Sequence, residues 1–436
     1  RMSHQASCLH GGHRGRAVPR DRKQARATTR SSPSYSWTEP RGHLSSGWHR
    51  HGNGHERGNL VTSRSWIDRR RRNLLIGAAG LVGGRLSAPL MAAGAPGGGE
   101  LPLVPRADVA PGLNISRVVK GCWQLSGGHK GDRSSDRTTG REAVEDFEPF
   151  VRAGITTFDT ADIYGPSEEI IGRYVKASTA SQSKPCEILT KYCCFGRSMN
   201  DVSASTVANG IERSKKRLNV DALDLVQVYW DDYGNKNYID VMRHLYDHPS
   251  VKHVGVTNFD VKRLQEMVDA GVPPVMNQVQ YSILDRRPEN GMVEFCKEHN
   301  IKLLPYGVLA GGFLSEKYLG VPASSIRPDT YSKSKYASVL SQLGGWSWFQ
   351  SLLEELQGVA QKHNTTIANV ACKWVLDKPQ VAAILAGARN ATHVPDHQAA
   401  FLIKLDQDDR AKIDAVLQKG AQAKGDCYTW ERGGVF

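Results

Sequence analysis

Three side chains invite a chemical reading before any fold is assigned. Asp159 and Tyr164 stand in Thr156-Thr157-Phe158-Asp159-Thr160-Ala161-Asp162-Ile163-Tyr164-Gly165, and Lys191 lies in Leu189-Thr190-Lys191-Tyr192. A phenol with its ordinary pKa near 10 is a weak acid toward a carbonyl oxygen at neutral pH. A nearby ammonium stabilises the phenolate and lowers that pKa. A buried ammonium in turn needs an anionic partner. Tyr164 as proton donor, Lys191 as its tuner and Asp159 as the partner of the lysine therefore form a general-acid system. The competing reading is a core tyrosine beside a structural ion pair.

These residues meet only if neighbouring strands bring them to one end. The β-branched, alternating start of the first stretch predicts a strand that gives way to a loop at Asp159, then a helix near Ser167. Further strands are predicted over 118–123, 187–191, 223–230, 253–257, 275–281, 301–306 and 381–385. Helices are predicted over 142–153, 167–175, 205–218, 238–246, 261–270, 289–298, 348–363, 367–376 and 406–417, the last capped by Asp406. An insertion over 314–348 carries no readable specificity. Eight βα units predict a (β/α)8 barrel, an α/β fold whose site lies at the carboxyl ends of its strands. The polar residues Asp159, Lys191, Thr257, Asn258, Gln278 and Tyr306 all fall at those ends. A doubly wound open sheet is the alternative, but it needs fewer units and a glycine fingerprint.

The words FDTADIYG and LTKY, in this order, resemble the signature of the aldo-keto reductase family, over about residues 115–420. The resemblance implies NADPH as cofactor without a Rossmann fold, and catalytic roles for Asp159, Tyr164 and Lys191. Thr257-Asn258 after the fifth strand and Asn277-Gln278 on the sixth resemble the groups that hold the nicotinamide amide. Tyr306 resembles the tyrosine that stacks on the nicotinamide. Gly307, Leu309 and Gly311 fall in the loop that wraps the pyrophosphate. Gly387-Ala388-Arg389-Asn390 resembles the loop around the adenosine 2′-phosphate, and Arg389 suits that dianion. His393 and Asp396 follow in the same loop. Trp123 and Trp230 match pocket aromatics; a lone Trp in a barrel is more often core.

Two departures from the family pattern bear on function. The family's fourth catalytic residue is usually His, but Leu225-Val226-Gln227-Val228-Tyr229-Trp230 puts Tyr229 there. A phenol can also donate to a carbonyl. In the 2′-phosphate loop, His393 replaces the usual Gln or Arg, and Pro395 and His397 replace a glutamate and an asparagine.

The 436 residues carry a formal charge of +13, which invites a nucleic-acid reading. Its distribution argues against one. Residues 1–100 hold 17 basic and 5 acidic side chains, and the rest hold 40 and 39. The charge belongs to a leader, and no nucleic-acid motif accompanies it. Residues 1–100 read as a disordered targeting segment and 101–436 as the barrel. Arg69-Arg70-Arg71-Arg72-Asn73-Leu74-Leu75-Ile76, an apolar run and a small-residue tail have the order of an export signal. The Ser/Arg-rich stretch before it resembles a plastid transit peptide and suggests a chloroplast location; an over-extended gene model would instead leave the protein cytoplasmic. The apolar run is too short and Gly-rich for a membrane anchor. Gly77-Ala78-Ala79-Gly80-Leu81-Val82-Gly83 imitates a dinucleotide fingerprint, but no strand precedes it. The eight cysteines form no CxxC pair, so neither metal ligation nor a disulfide framework is expected. The adjacent Cys193-Cys194, near Lys191, read as core thiols or as a redox-sensitive pair.

The expected function is reduction of a small-molecule aldehyde or ketone by NADPH. A different class, a regulatory subunit that binds NADPH and turns over poorly, gains from Tyr229 at the histidine position. A sugar-cleaving barrel has only Asp231-Asp232 to recommend it, and adjacent residues on a strand point apart. The substrate and the oligomeric state are not legible.

Overall fold

A computed structural model describes residues 101–127, 141–180, 186–388 and 390–436. The expected leader (residues 1–100), with the targeting segment and glycine decoy read in it, and Arg389 lie outside them. Eight parallel strands form the barrel: β1 (Val118–Gly121), β2 (Thr157–Asp159), β3 (Glu187–Cys194), β4 (Leu225–Trp230), β5 (Val254–Thr257), β6 (Met276–Gln280), β7 (Lys302–Tyr306) and β8 (Ile384–Gly387). They neighbour one another in chain order, with β8 beside β1. Leu303 on β7 closes the ring just ahead of β8. Its N–H donates to Gln380 O at 2.8 Å, and its carbonyl accepts from Ala382 N at 3.1 Å. This is the expected (β/α)8 barrel.

An antiparallel hairpin, Arg106–Ala110 with Leu113–Ser116, precedes the barrel and was not foreseen. It covers the amino ends of the strands. Val109, Leu113 and Ile115 pack on the interior residues Val119, Leu189, Leu225, Met276 and Leu304. Arg106 fixes the hairpin by pairing with Glu187, at the start of β3, at 2.6 Å.

Two other elements differ from expectation. The helix predicted over 142–153 is two short ones, Glu142–Glu145 and Phe147–Arg152. Pro149 has no N–H to give the Glu145 carbonyl, so the helical ladder restarts at Asp146. The insertion holds a full helix, Tyr331–Leu343, capped by the Thr330 side chain. Its buried Tyr336, Val339, Leu340 and Leu343 follow the i, i+3, i+4, i+7 pattern that marks one helix face. Beyond the Gln407–Leu417 helix, whose predicted Asp406 cap is present, the chain runs back across the carboxyl ends of the strands.

Candidate active site

Side chains alternate along a strand, so the barrel interior receives every second residue. Leu189, Leu225, Met276 and Leu304 belong to the apolar floor. Two residues further along the same strands stand Lys191, Gln227, Gln278 and Tyr306, and β2 adds Asp159. The polar layer thus sits one step above the apolar one, at the carboxyl ends.

Asp159 is the hub of this layer. Its Oδ1 accepts from Lys191 Nζ at 2.6 Å, and its Oδ2 accepts from Gln227 Nε2 at 2.9 Å and Gln278 Nε2 at 2.7 Å. Lys191 and Asp159 side chains are each only 3% exposed. Burial works against the ammonium, but Asp159 and Tyr164 outweigh it and raise the Lys191 pKa above the lysine range. Lys191 also donates to Thr160 O at 2.9 Å. A buried pair of this kind is weak support for stability, since its desolvation offsets its attraction.

Tyr164 sits over this pair. Lys191 Nζ lies 5.1 Å from the centre of its ring. The turn that presents Tyr164 closes on Gly165, at φ +49°, where a Cβ would come 2.6 Å from Ser126 O. That contact also brings the Trp123–Ser126 turn, with half-buried Trp123, against the tyrosine turn. Burial pushes the Tyr164 pKa up to about 12; Lys191 pulls it down and Asp159 pushes it up. The expected depression by Lys191 is therefore present as a tendency, but burial exceeds it. Asp162, two residues earlier, is a buried carboxyl raised to about 6 by burial, against a hydrogen bond from Cys193 N.

Tyr229 projects from the end of β4, with its ring 5.1 Å from that of Phe195. Burial raises its pKa, and Arg432 partly offsets this. Tyr428 of the carboxyl-terminal tail, beside it, also pulls this pKa down. Trp230 is fully buried, donates Nε1–H to Asn235 O at 2.8 Å and packs edge-on against Tyr238. Its indole is core; its carbonyl faces the tail and accepts from Arg432 at 2.6 Å. Burial pushes Cys194 to about 12 and Cys193 well above the ordinary thiol value, which leaves both poor nucleophiles.

The residues expected to hold a nicotinamide nucleotide lie together at the same end. Thr257 pairs with Gln278 in register. Asn258 follows in a left-handed turn, φ +64°, and its Oδ1 accepts from Tyr306 Oη at 2.9 Å. Gln278 spends its N–H groups on Asp159 and Gln227, so its oxygen can accept from a ligand amide. Tyr306 ends β7 as an aromatic platform, with Lys335 Nζ 5.6 Å from its ring centre. Gly307 follows at φ +71°, where a Cβ would overlap the Tyr336 hydroxyl, and leads through Leu309 into the Ala310–Gly312 turn containing Gly311. Gly387 ends β8. Beyond it His393 is exposed and held by Asp396 at 2.8 Å, a bond that raises its proton affinity. A carboxamide acceptor, an aromatic platform, a positive-φ turn and a protonatable imidazole suit such a nucleotide.

Two parts of the site lie outside the residues that the motifs mark. Gln227 lies within the quoted β4 word, and its interior position two residues beyond Leu225 was the available signal. The tail residues Tyr428, Glu431 and Arg432 lie in no periodic element, so nothing local marked them. Among the described residues, Asp406, Asp408 and Asp409 could group around a cation. Lys362 and His363 already take Asp409 at 2.7 Å each, and the group is far along the chain from the polar layer.

Fold and site together define a (β/α)8 barrel with Asp159, Lys191 and Tyr164 grouped at the carboxyl ends of its strands. The profile of the Aldo/keto reductase family matches residues 117–418, and the chain belongs to that family. It is 28% identical over 333 residues to the chloroplastic pyridoxal reductase of Arabidopsis thaliana, covering 71% of this chain and 86% of that protein. It is 24% identical over 322 residues to the NADH-specific methylglyoxal reductase of Escherichia coli, covering 68% and 93%. In fold it matches the glycerol dehydrogenase AKR11B4 of Gluconobacter oxydans, with a TM-score of 0.60 and 23% identity, over 72% of this chain and 95% of that one.

Proposed function

We propose that this chain reduces an aldehyde or ketone to an alcohol with NADPH. The observation that carries the reading is the closed Asp159–Lys191 pair at 2.6 Å beneath Tyr164. The bound nicotinamide supplies the hydride to the carbonyl carbon. Tyr164 gives its hydroxyl proton to the carbonyl oxygen, and solvent returns a proton to the phenolate. Lys191 stabilises that phenolate, and Asp159 keeps Lys191 charged and in place. Gln227 and Gln278 fix the second oxygen of Asp159, so the carboxylate cannot rotate away. Tyr229 offers the hydrogen bond that the family's histidine makes to the carbonyl. A Tyr164 pKa near 12 keeps the donor protonated at every physiological pH. The names of the pyridoxal and methylglyoxal reductases support a carbonyl substrate. NADPH is favoured over NADH by Arg389 and by the Asp396-held His393, both suited to a 2′-phosphate.

A regulatory NADPH-binding subunit is the second reading, favoured by Tyr229 at the position where the family usually has His. The test is NADPH consumption by the full chain against aldehydes, ketones and quinones, with NADPH affinity measured alongside. Turnover supports the reductase. Tight NADPH binding without turnover on any carbonyl selects the regulatory subunit. The leader supports plastid import, and the name of the Arabidopsis relative agrees with that. Failure of isolated chloroplasts to import and trim the full chain would remove the location.

A further inference from the structure

Three cations gather around the carboxyl-terminal tail, Arg287 after β6, Lys335 on the inserted helix and Arg432 in the tail itself, and they are not equivalent. Arg287 is fully buried and paired with two carboxylates. It meets Asp285 at 2.6 Å and Glu431 at 2.8 Å. Lys335 shares Glu431 at 3.2 Å. Arg432 differs: among the described residues no carboxylate lies within ion-pair distance of it. Its partners are main-chain carbonyls: Trp230 O at 2.6 Å, Asp231 O at 3.4 Å and Asn258 O at 3.4 Å. A guanidinium has five N–H donors, so two remain without an acceptor among these residues. The ion lies 4.0 Å from the ring centre of Tyr233 and 4.7 Å from that of Tyr428.

Arg432 donates to the carbonyl of Trp230, the residue that follows Tyr229, so it sits beside the group that would orient the carbonyl. It is also held there before any ligand arrives. Glu431 is clamped by both terminal nitrogens of Arg287. Asp426 accepts from Val261 N at 2.8 Å, and Asn290 donates to Ala423 O and Gly425 O at 2.9 Å each. A half-buried, pre-positioned guanidinium with donors to spare and no counter-ion is the group that recognises a carboxylate bidentately.

We propose that Arg432 is a specificity-determining residue that binds a carboxylate on the substrate, so that the chain prefers aldehydes or ketones carrying that anion a few bonds from the carbonyl. The proposal rests on the reductase reading and names the substrate class of the same site. Its charge and geometry separate it from Lys335 and Arg287, whose carboxylate partners are internal.

The test compares 4-oxobutanoate with butanal, which share a four-carbon aldehyde and differ in the carboxylate, using full-length protein and saturating NADPH. The wild type should show a kcat/KM ratio favouring 4-oxobutanoate by roughly ten- to a hundredfold, the range of a hydrogen bond to a charged group. Arg432→Gln keeps donors for the Trp230 and Asn258 carbonyls but loses the charge. It should remove that ratio through KM for 4-oxobutanoate, with kcat and KM for butanal within about threefold of wild type. Arg432→Lys should recover part of the preference, because it restores charge without the planar fork. A wild-type ratio near one, or equal losses on both aldehydes in Arg432→Gln, would overturn the proposal and leave the reductase standing. No turnover of either aldehyde, or of any other carbonyl, would overturn the reductase reading and this proposal with it.

Discussion

The two layers of the barrel interior are separated by two residues along four strands, and they do opposite work. The lower layer, Leu189, Leu225, Met276 and Leu304, is sealed by the hairpin residues Val109, Leu113 and Ile115. The upper layer, Lys191, Gln227, Gln278 and Tyr306 with Asp159, carries a buried charge pair and a closed set of hydrogen bonds. Burial of apolar surface holds the lower layer together. The upper layer gives up part of that gain, because each buried polar group only recovers what it lost in leaving water. A barrel selected for packing alone could continue the leucine layer upward. Stability and chemistry are thus stacked on the same strands, and the floor makes the polar layer tolerable.

The sharpest way to break the comparison is Lys191→Met. It leaves the buried Asp159 carboxyl without its cation, which should cost about 3–5 kcal/mol in stability and abolish turnover. Adding Asp159→Asn should return most of the stability, read by urea denaturation, and none of the activity. Recovery of activity in the double variant would show that the pair is structural. Leu225→Ala probes the other layer. The cavity should cost about 2–5 kcal/mol, while kcat/KM at 25 °C stays within a few-fold. A large fall in kcat with intact stability would mean that the layers are not separable.

Asp162 sharpens the boundary between them. Its folded pKa of about 6 lies above the ordinary carboxyl value near 3.9. The folded state therefore holds the proton more tightly, and the associated stability is full below about pH 4 and lost as pH rises through 6. Asp162→Asn should match wild type at pH 4 and exceed it by about 2–3 kcal/mol at pH 8. Equal urea midpoints for the two proteins across that range would reject the assignment. The smallest effect belongs outside both layers. Thr330→Ala removes the cap of the inserted Tyr331–Leu343 helix and should cost about 1 kcal/mol, with unchanged kinetics. A larger kinetic change would show that the cap itself, beyond the contacts of Lys335 and Tyr336 with Tyr306 and Gly307, sets the geometry of the site.

The sequence carried the barrel because its strands and helices alternate in period, and all eight strands lie where the periodicity put them, within a few residues. Asp159, Lys191, Gln278 and Tyr306 were legible because polar residues at strand ends have no packing reason to be there. Gln227 was missed although the same period-two rule would have found it from Leu225. The helix at 331–343 was hidden by its Ser, Lys and Tyr residues, yet Tyr336, Val339, Leu340 and Leu343 mark its apolar face. The hairpin alternates over only four or five residues per strand, too short to stand out. The tail contacts of Tyr428, Glu431 and Arg432 span between about 140 and 200 residues of chain, and no local pattern encodes such a meeting. The rise of the Tyr164 pKa by burial depends on packing and could not be read from the Lys191 spacing.

The measurement that tests the account most directly is the turnover of full-length Tyr164→Phe, on the best carbonyl found for the wild type, with NADPH affinity and thermal midpoint recorded on the same preparation. The substitution removes one hydroxyl and leaves the ring over Lys191. If Tyr164 is the acid, kcat falls by about 10²–10⁴-fold, the range for loss of a general acid, with NADPH affinity and midpoint unchanged. Wild-type turnover in Tyr164→Phe would contradict that role and assign the proton to another group.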